Sequence, residues 1–301
     1  MESATVPVKL LWLSALGCNG SAHSFLNHPY LEDFHERFEW LYHSLLPSVH
    51  TLKEIAECPE YIHCDILLIE GTLEDGLHKG GRLFSEMIEH YGAGARAIVT
   101  VGTCSSFGGI FMKGAQGRHG LHYAGKIPHE RFSWLKEKTF ALPGCPVQPE
   151  VLAGTLDMIA SGAHVPRDGF RRPKAYYAYT VHNGCTRNEY FEYKIDDHSF
   201  GELEGCMFYD HGCQATYAHG SCNKILWNGV NSKTRIGQPC MGCTEADFPI
   251  TDLWKTRKNM GIPAKLPAGI PKRVYLSLAG VAKAFRIERF CKRLMDEEQT
   301  C

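Results

Sequence analysis

The chain has no surplus of either charge, no long apolar run and no nucleotide- or phosphate-binding motif, and each absence removes a class of function. Its 301 residues include 32 Lys or Arg against 33 Asp or Glu, so charge calls for no polyanionic partner. No basic stripe interleaved with aromatics occurs, which argues against nucleic acid. No apolar run reaches the roughly eighteen residues of a membrane-spanning helix. GxGxxG, a phosphate loop and a Ser/His/Asp set are all missing, so nucleotide-dependent and hydrolytic readings lack support. The opening stretch MESATVPVKLLWLSALG carries no basic n-region and no twin-arginine pair, and the expectation is a cytoplasmic protein, or one peripheral to the membrane. Neither an internal repeat nor a low-complexity tract is found.

What the chain does have is cysteine, thirteen in all. Between residues 182 and 243 stand His182, Cys185, Cys206, Cys213, Cys222, Cys240 and Cys243, in the runs VHNGC, EGCMFYDHGC, GSCNKILWN and GQPCMGC. Disulfides suit short secreted chains better than a large enzyme-sized one. His-x-x-Cys at 182–185 and Cys-x-x-Cys at 240–243 are acceptable zinc pairs, and the same residues hold iron–sulfur clusters, where histidine sometimes replaces thiolate. Spacing alone leaves both open. Seven ligands divide into a set of four and a set of three. A structural zinc wants a closed shell of four, so the leftover three favour a 3Fe-4S cluster.

The first half alternates strand-like and helix-like pieces. Apolar runs at Val8–Ala15, Phe38–Leu46, Asp65–Ile69, Arg96–Val101 and Phe140–Leu142 read as strands, and Phe84–Tyr91 and Val151–Ser161 as helices. The pattern predicts an α/β fold with an open, flavodoxin-like parallel sheet, whose ligands sit beyond the carboxyl ends of the strands. Cys18, Cys104 and Cys145 each follow a predicted strand in a glycine-containing loop, so three loops deliver one thiol apiece to one rim. Past Val165 the apolar strands vanish while aromatics and glycines thicken. The expected division is 1–165 for the sheet domain and 166–301 for an irregular, partly helical metal-binding domain whose folding depends on its metals. The segment VYLSLAGVAKAFRIERFCKRL (274–294) is amphipathic and reads as a helix packed on its own domain. Cys58, Cys64, Cys291 and Cys301 lie outside every motif and read as ordinary thiols. His211 and His219 sit inside the ligand run without ligand-like spacing, Arg187 and Lys224 beside ligand cysteines read as potential-tuning or solvated charges, and Glu70 as a loop carboxylate.

On the loop around Cys18, GTCSSFGG (102–109), LPGCPVQP (142–149), HNGC, GCMFYDHGC, SCNKILWN and PCMGCTEADFP, the chain resembles the small, electron-transferring subunit of nickel–iron hydrogenases, from about Val8 to Leu266. CTRNEYFEYK and CNKILWNGVNSKTRIGQPCMGCTE are most similar to the cytoplasmic uptake and sensory branch. The resemblance implies three iron–sulfur clusters. A distal 4Fe-4S cluster would use His182, Cys185, Cys206 and Cys213; a medial 3Fe-4S cluster would use Cys222, Cys240 and Cys243. Lys233 stands where many relatives have proline. A proximal cluster would use Cys18, Cys104 and Cys145, and here the usual second cysteine of the first loop is Ser21. That site is then 3Fe-4S on three thiolates, or 4Fe-4S with an oxygen ligand from Ser21 or a carboxylate such as Asp75 or Glu70, or it keeps a labile fourth iron. The implied partner is a hydrogenase large subunit, which holds the nickel–iron centre and would be met through an apolar face around the proximal loops. An acceptor protein or quinone-linked carrier would receive the electrons, and a higher oligomer of heterodimers is expected. Rival expectations are a hydrogen sensor built on the same heterodimer, the cluster subunit of a respiratory quinone-reducing complex, and a zinc-stabilised interaction protein.

Overall fold

A computed structural model describes residues 7–250 except 115, 116 and 198, together with 271, 274, 277, 278 and 281. Five strands, β1 (Val8–Ser14), β2 (Phe38–Tyr42), β3 (Ile66–Glu70), β4 (Ala97–Val101) and β5 (Thr139–Leu142), form one sheet in the order β5-β4-β3-β1-β2. Every pairing in it is parallel. This is the flavodoxin-like order, and its reversal of direction lies between β1 and β3. The sheet forms because ILLIE and AIVTV are buried along their whole length, which only a sheet covered on both faces can satisfy.

Successive side chains of a strand point to opposite faces, and β1 sorts accordingly. Leu10 and Trp12 join one core with Phe25 of α1 (Gly20–Leu26), while Leu11 and Leu13 join another with Ile55 of α2 (Leu52–Glu57) and Met87 and Ile88 of α3 (Phe84–Gly94). Helix α4 (Pro149–Ala160) covers the first face with Leu152 and Leu156. The expected second strand stops at Tyr42 rather than Leu46. The chain turns there, with the His43 amide donating to Ser48 Oγ at 2.9 Å and the Val49 amide donating back to Trp40 O at 3.0 Å. The other expected elements lie where the apolar runs put them, with ends moved by a few residues.

Among the described residues from 166 to 250 the backbone is irregular, with short helices at Lys174–Tyr177 and Asn188–Tyr193 and isolated bridges such as Thr180–His219. Its small core is Val181, Met207, Cys213, Ala215, Ala218 and Cys240. A core this poor in large side chains, with two of its six members expected to be metal ligands, supports a fold that leans on what the cysteines bind. It is also fastened to the sheet. Tyr177 is buried in the first core and donates to Pro143 O at 2.9 Å. Buried Arg172 holds Asp168 at 2.7 Å and Glu245 at 3.2 Å. The amphipathic segment 274–294, apart from Val274, Ser277, Leu278 and Val281, falls outside the described residues, as does Cys301.

Candidate metal centres

The rim above β1, β4 and β5 carries the first three thiols. Cys18 is in the turn between β1 and α1, Cys104 in the short helix Thr103–Phe107 that follows β4, and Cys145 just past β5. Two of the loops are laced together: the Gly102 amide donates to Leu142 O at 2.9 Å, the Thr103 amide to Gly144 O at 3.0 Å, and the Gly144 amide to Thr103 Oγ1 at 2.8 Å. The Val147 amide donates to Ser21 Oγ at 3.3 Å, tying the Cys18 loop to the Cys145 loop, so the three loops converge. Glycine keeps the space beside two of the sulfurs. A Cβ on Gly109, whose φ is +54°, would stand 2.7 Å from Cys104 Sγ, and one on Gly20 would stand 3.1 Å from Cys18 Sγ. Cys18 is exposed and the other two are half-buried, so the site opens at the surface of this chain.

The candidate oxygen ligands separate. Ser21 is buried, with Oγ in the seam between the Cys104 and Cys145 loops, where it accepts from the Val147 amide at 3.3 Å. Glu70 is occupied: Oε1 accepts from the amides of Ser21 (2.9 Å) and Ala22 (3.2 Å), and Oε2 from Trp12 Nε1 (3.2 Å). Burial still pushes its carboxyl above the ordinary range. Asp75 is drawn to Arg131 at 3.5 Å, its side chain largely exposed.

The remaining seven expected ligands sort into two cavities. One is lined by Cys222, Cys240 and Cys243 together with Lys233, Tyr177 and the loop residues Pro143, Gly144 and Pro146. The other is lined by His182, Cys185, Cys206 and Cys213 with Arg187, Phe191 and Phe208. Thr234 lines both. The wall between them is made by two backbone contacts, the Cys240 amide donating to Cys213 Sγ at 3.3 Å and the Gln214 amide donating to Cys240 O at 2.6 Å. The three-ligand cavity is also tied to the rim, since Thr103 Oγ1 donates to Cys243 O. Among the described residues, no three Cys, His, Asp or Glu side chains close on a point that one metal ion could occupy. The ligands stand around cavities instead.

Chemically the sulfurs are unfinished. Burial pushes the thiols of Cys206 and Cys222 up to about 12 and those of Cys145 and Cys213 up to about 11, and holds Cys240 well above its ordinary range. Without a cation they stay protonated. Bound metal would ionise them outright, so a donor set of this kind fits iron or zinc and has no other evident chemistry. Burial lowers the His182 imidazole, keeping it neutral and able to ligate.

Arg187 is neither a solvated charge nor a free one: its side chain is buried and pairs with fully buried Asp197 at 3.1 Å. It donates besides to Thr234 O, Glu204 O, Gly205 O and Glu202 O. It is the staple of the loop that walls the four-ligand cavity. Nothing local in the sequence marks that role, because its acceptors are main-chain carbonyls. Lys224 lies over the Tyr179 ring at 3.6 Å. His219 pairs with Glu245 at 3.1 Å, and the His211 ring lies tilted against Phe200, 4.4 Å between centroids.

Two sequence families match the chain: one described as NADH ubiquinone oxidoreductase, 20 Kd subunit, over residues 18–159, and the C-terminal family of the NiFe/NiFeSe hydrogenase small subunit over residues 177–254. A periplasmic [NiFe] hydrogenase small subunit of Solidesulfovibrio fructosivorans is 32% identical over 60% of this chain and 58% of its own length. The chain therefore spans under two thirds of that relative. The F420 non-reducing hydrogenase II small subunit of Methanosarcina mazei is 29% identical over 80% of this chain and 73% of its own. Among solved structures, a [NiFeSe]-hydrogenase chain of Dm. baculatum superposes with a TM-score of 0.71 at 23% identity, covering 84% of this chain and all of that one. An actinobacterial-type NiFe-hydrogenase chain of Ralstonia eutropha H16 gives 0.69 at 23% identity, over 92% and 90%. At that identity these two establish the fold.

Proposed function

Because the chain belongs to the small-subunit family of nickel–iron hydrogenases, we propose that it is the electron-transfer subunit of such an enzyme, carrying three iron–sulfur clusters between a partner large subunit and an external acceptor. The observation that carries this reading is the division of the cysteine run: four ligands around one cavity, three around its neighbour, and three more on the sheet rim next to the second. Clusters bound there would supply single-electron relay. This chain's own part is to fix, space and dry them.

Spacing is set by backbone. The Thr103 bridges couple the rim to the medial cavity, and the Cys213–Cys240 contacts couple medial to distal. Cavities that share Thr234 and are joined by these contacts would hold adjacent clusters as neighbours. Dryness comes from Tyr177, Val181 and Pro146 around the medial cavity and Phe191 and Phe208 around the distal one. The exposed rim of Cys18 is where a large subunit would close the site, and Ile110, 44% exposed on the helix Gly109–Met112, stands in the same loop system. The proximal site belongs to this proposal as a three-thiolate site with the Ser21 hydroxyl buried in the seam beside it. A Ser21→Cys variant should gain iron at that site and lower its potential.

Three cysteines on one cavity fall short of the closed shell of four that a structural zinc wants, which suits a 3Fe-4S cluster better than zinc. The test is iron, sulfide, nickel and zinc content of the native complex, with EPR of its oxidised state. Iron and sulfide at three clusters per chain and nickel in the partner are expected; colourless, sulfide-free, zinc-loaded protein would overturn the reading. Fast dye reduction under hydrogen identifies the uptake enzyme, and slow turnover with a kinase co-purifying would identify the sensor instead.

A further inference from the structure

Among the described residues that line the medial cavity, Lys233 alone brings a formal positive charge, and its placement is built rather than incidental. The residues on either side of it are pinned to a single buried group: Ser232 Oγ donates to Asn223 Oδ1 at 2.5 Å and Thr234 Oγ1 donates to the same oxygen at 2.8 Å. Asn223 is itself buried next to ligand Cys222 and anchored by its Nδ2 donating to Val181 O at 2.8 Å. Thr234 is held again from the far side by Arg187 Nε at 2.8 Å. Between these fixed flanks Lys233 lines the cavity together with Cys222, Cys240, Cys243 and Pro143, Gly144 and Pro146 of the loop that carries Cys145.

Resting on the cluster reading above, we propose that the Lys233 ammonium is a positioning residue for charge, set between the medial and proximal clusters so that it raises the reduction potential of both, and of the medial one more. An electron added to a cluster adds negative charge, and a fixed cation in a half-dry site lowers the cost of adding it. The grading follows from proximity. Cys222, Cys240 and Cys243 line the same cavity as Lys233, whereas proximal Cys145 lies behind the Pro143, Gly144 and Pro146 that line it. An ammonium at that position also supplies no sulfur and no lone pair, which keeps a three-ligand cavity at three.

Redox titration of the native heterodimer followed by EPR tests this, with iron and sulfide measured alongside. In Lys233→Met both midpoint potentials should fall, medial further than proximal, at unchanged iron and sulfide; in Lys233→Arg they should stay at the wild-type values. If the Met variant loses a cluster, Lys233→Gln, which keeps polarity and removes charge, is titrated in its place with the same expectation. Unchanged potentials in the neutral variants, a larger shift at the proximal cluster, or an Arg variant that shifts as far as the neutral ones would each overturn the assignment. Wild-type protein without cluster signals would instead overturn the electron-transfer reading on which it rests, so the two failures are told apart.

Discussion

The Thr103 hydroxyl predicts the cost of loosening the rim from the medial cavity. It accepts from the Gly144 amide at 2.8 Å and donates to Cys243 O, while Thr103 itself is 1% exposed. Thr103→Val keeps the shape and removes both bonds, orphaning one donor and one acceptor where water has little access. Each orphan costs about 1–3 kcal/mol. The Thr103 amide still donates to Gly144 O at 3.0 Å, so the loops remain in register and the lower half of the summed range, about 2–4 kcal/mol, is the better expectation. A holoprotein whose clusters are lost on unfolding is judged by a rate. At about 1.36 kcal/mol per decade, cluster bleaching in denaturant should accelerate roughly thirty- to several-hundred-fold if the bridge breaks before the barrier. Thr103→Ser keeps the hydroxyl and should bleach within a few-fold of wild type. A Val variant that bleaches at the wild-type rate, or a Ser variant as fast as Val, would refute the reasoning.

Three further outcomes follow from the same geometry. Gly109→Ala places a Cβ 2.7 Å from Cys104 Sγ on a backbone with φ of +54°; the proximal EPR signal should disappear while the medial and distal signals persist, and a retained proximal signal would mean that the glycine is not keeping the sulfur's space. Arg187→Met leaves Asp197 buried without its guanidinium, and breaking such a pair costs about 3–5 kcal/mol, so distal iron should be lost selectively on metal analysis. Glu245 is held below its ordinary value despite the desolvation of burial, because His219 and Arg172 favour its charged form. A depressed folded value means stability present above the unfolded carboxylate range, near about 4.3, and lost as pH falls through the folded one. Glu245→Gln should flatten the acid limb of a bleaching-rate profile below about pH 4; an unchanged acid limb would place the acid sensitivity elsewhere.

How much of this could be read from residues alone depends on whether the information is local. β3 and β4 announce themselves because a strand buried on both faces must be apolar throughout, and Cys18, Cys104 and Cys145 follow strands closely enough that sheet topology brings them together. The His-x-x-Cys and Cys-x-x-Cys pairs are local by nature. The polar framework is not. Thr103 reaches Cys243, Arg172 reaches Glu245, and Ser232 and Thr234 converge on Asn223, across separations no period or motif encodes. A buried Arg187 looks like any surface arginine until its carbonyl acceptors are in place. Ser21, Glu70 and Asp75 read alike as oxygen donors near the rim, and only packing separates a hydroxyl in the seam from a carboxylate spent on amides and another spent on Arg131.

That division of labour has a consequence for how the molecule can be tuned. Distances between adjacent sites are fixed by main-chain contacts and by one threonine hydroxyl: the 213–214 strip against Cys240, and the 102–103 strip against 142–144 and Cys243. On the cluster reading proposed above, potentials would be set by side chains that do not bear on those distances, Lys233 in the three-cysteine cavity and His182 in its neighbour. Substituting the second kind shifts driving force at constant separation. Substituting the first kind changes separation and stability together. A variant series that moved potentials without moving cluster spacing could be built only from the former, and Lys233, flanked by two hydroxyls that hold its backbone whatever its side chain, is the position the fold leaves freest for it.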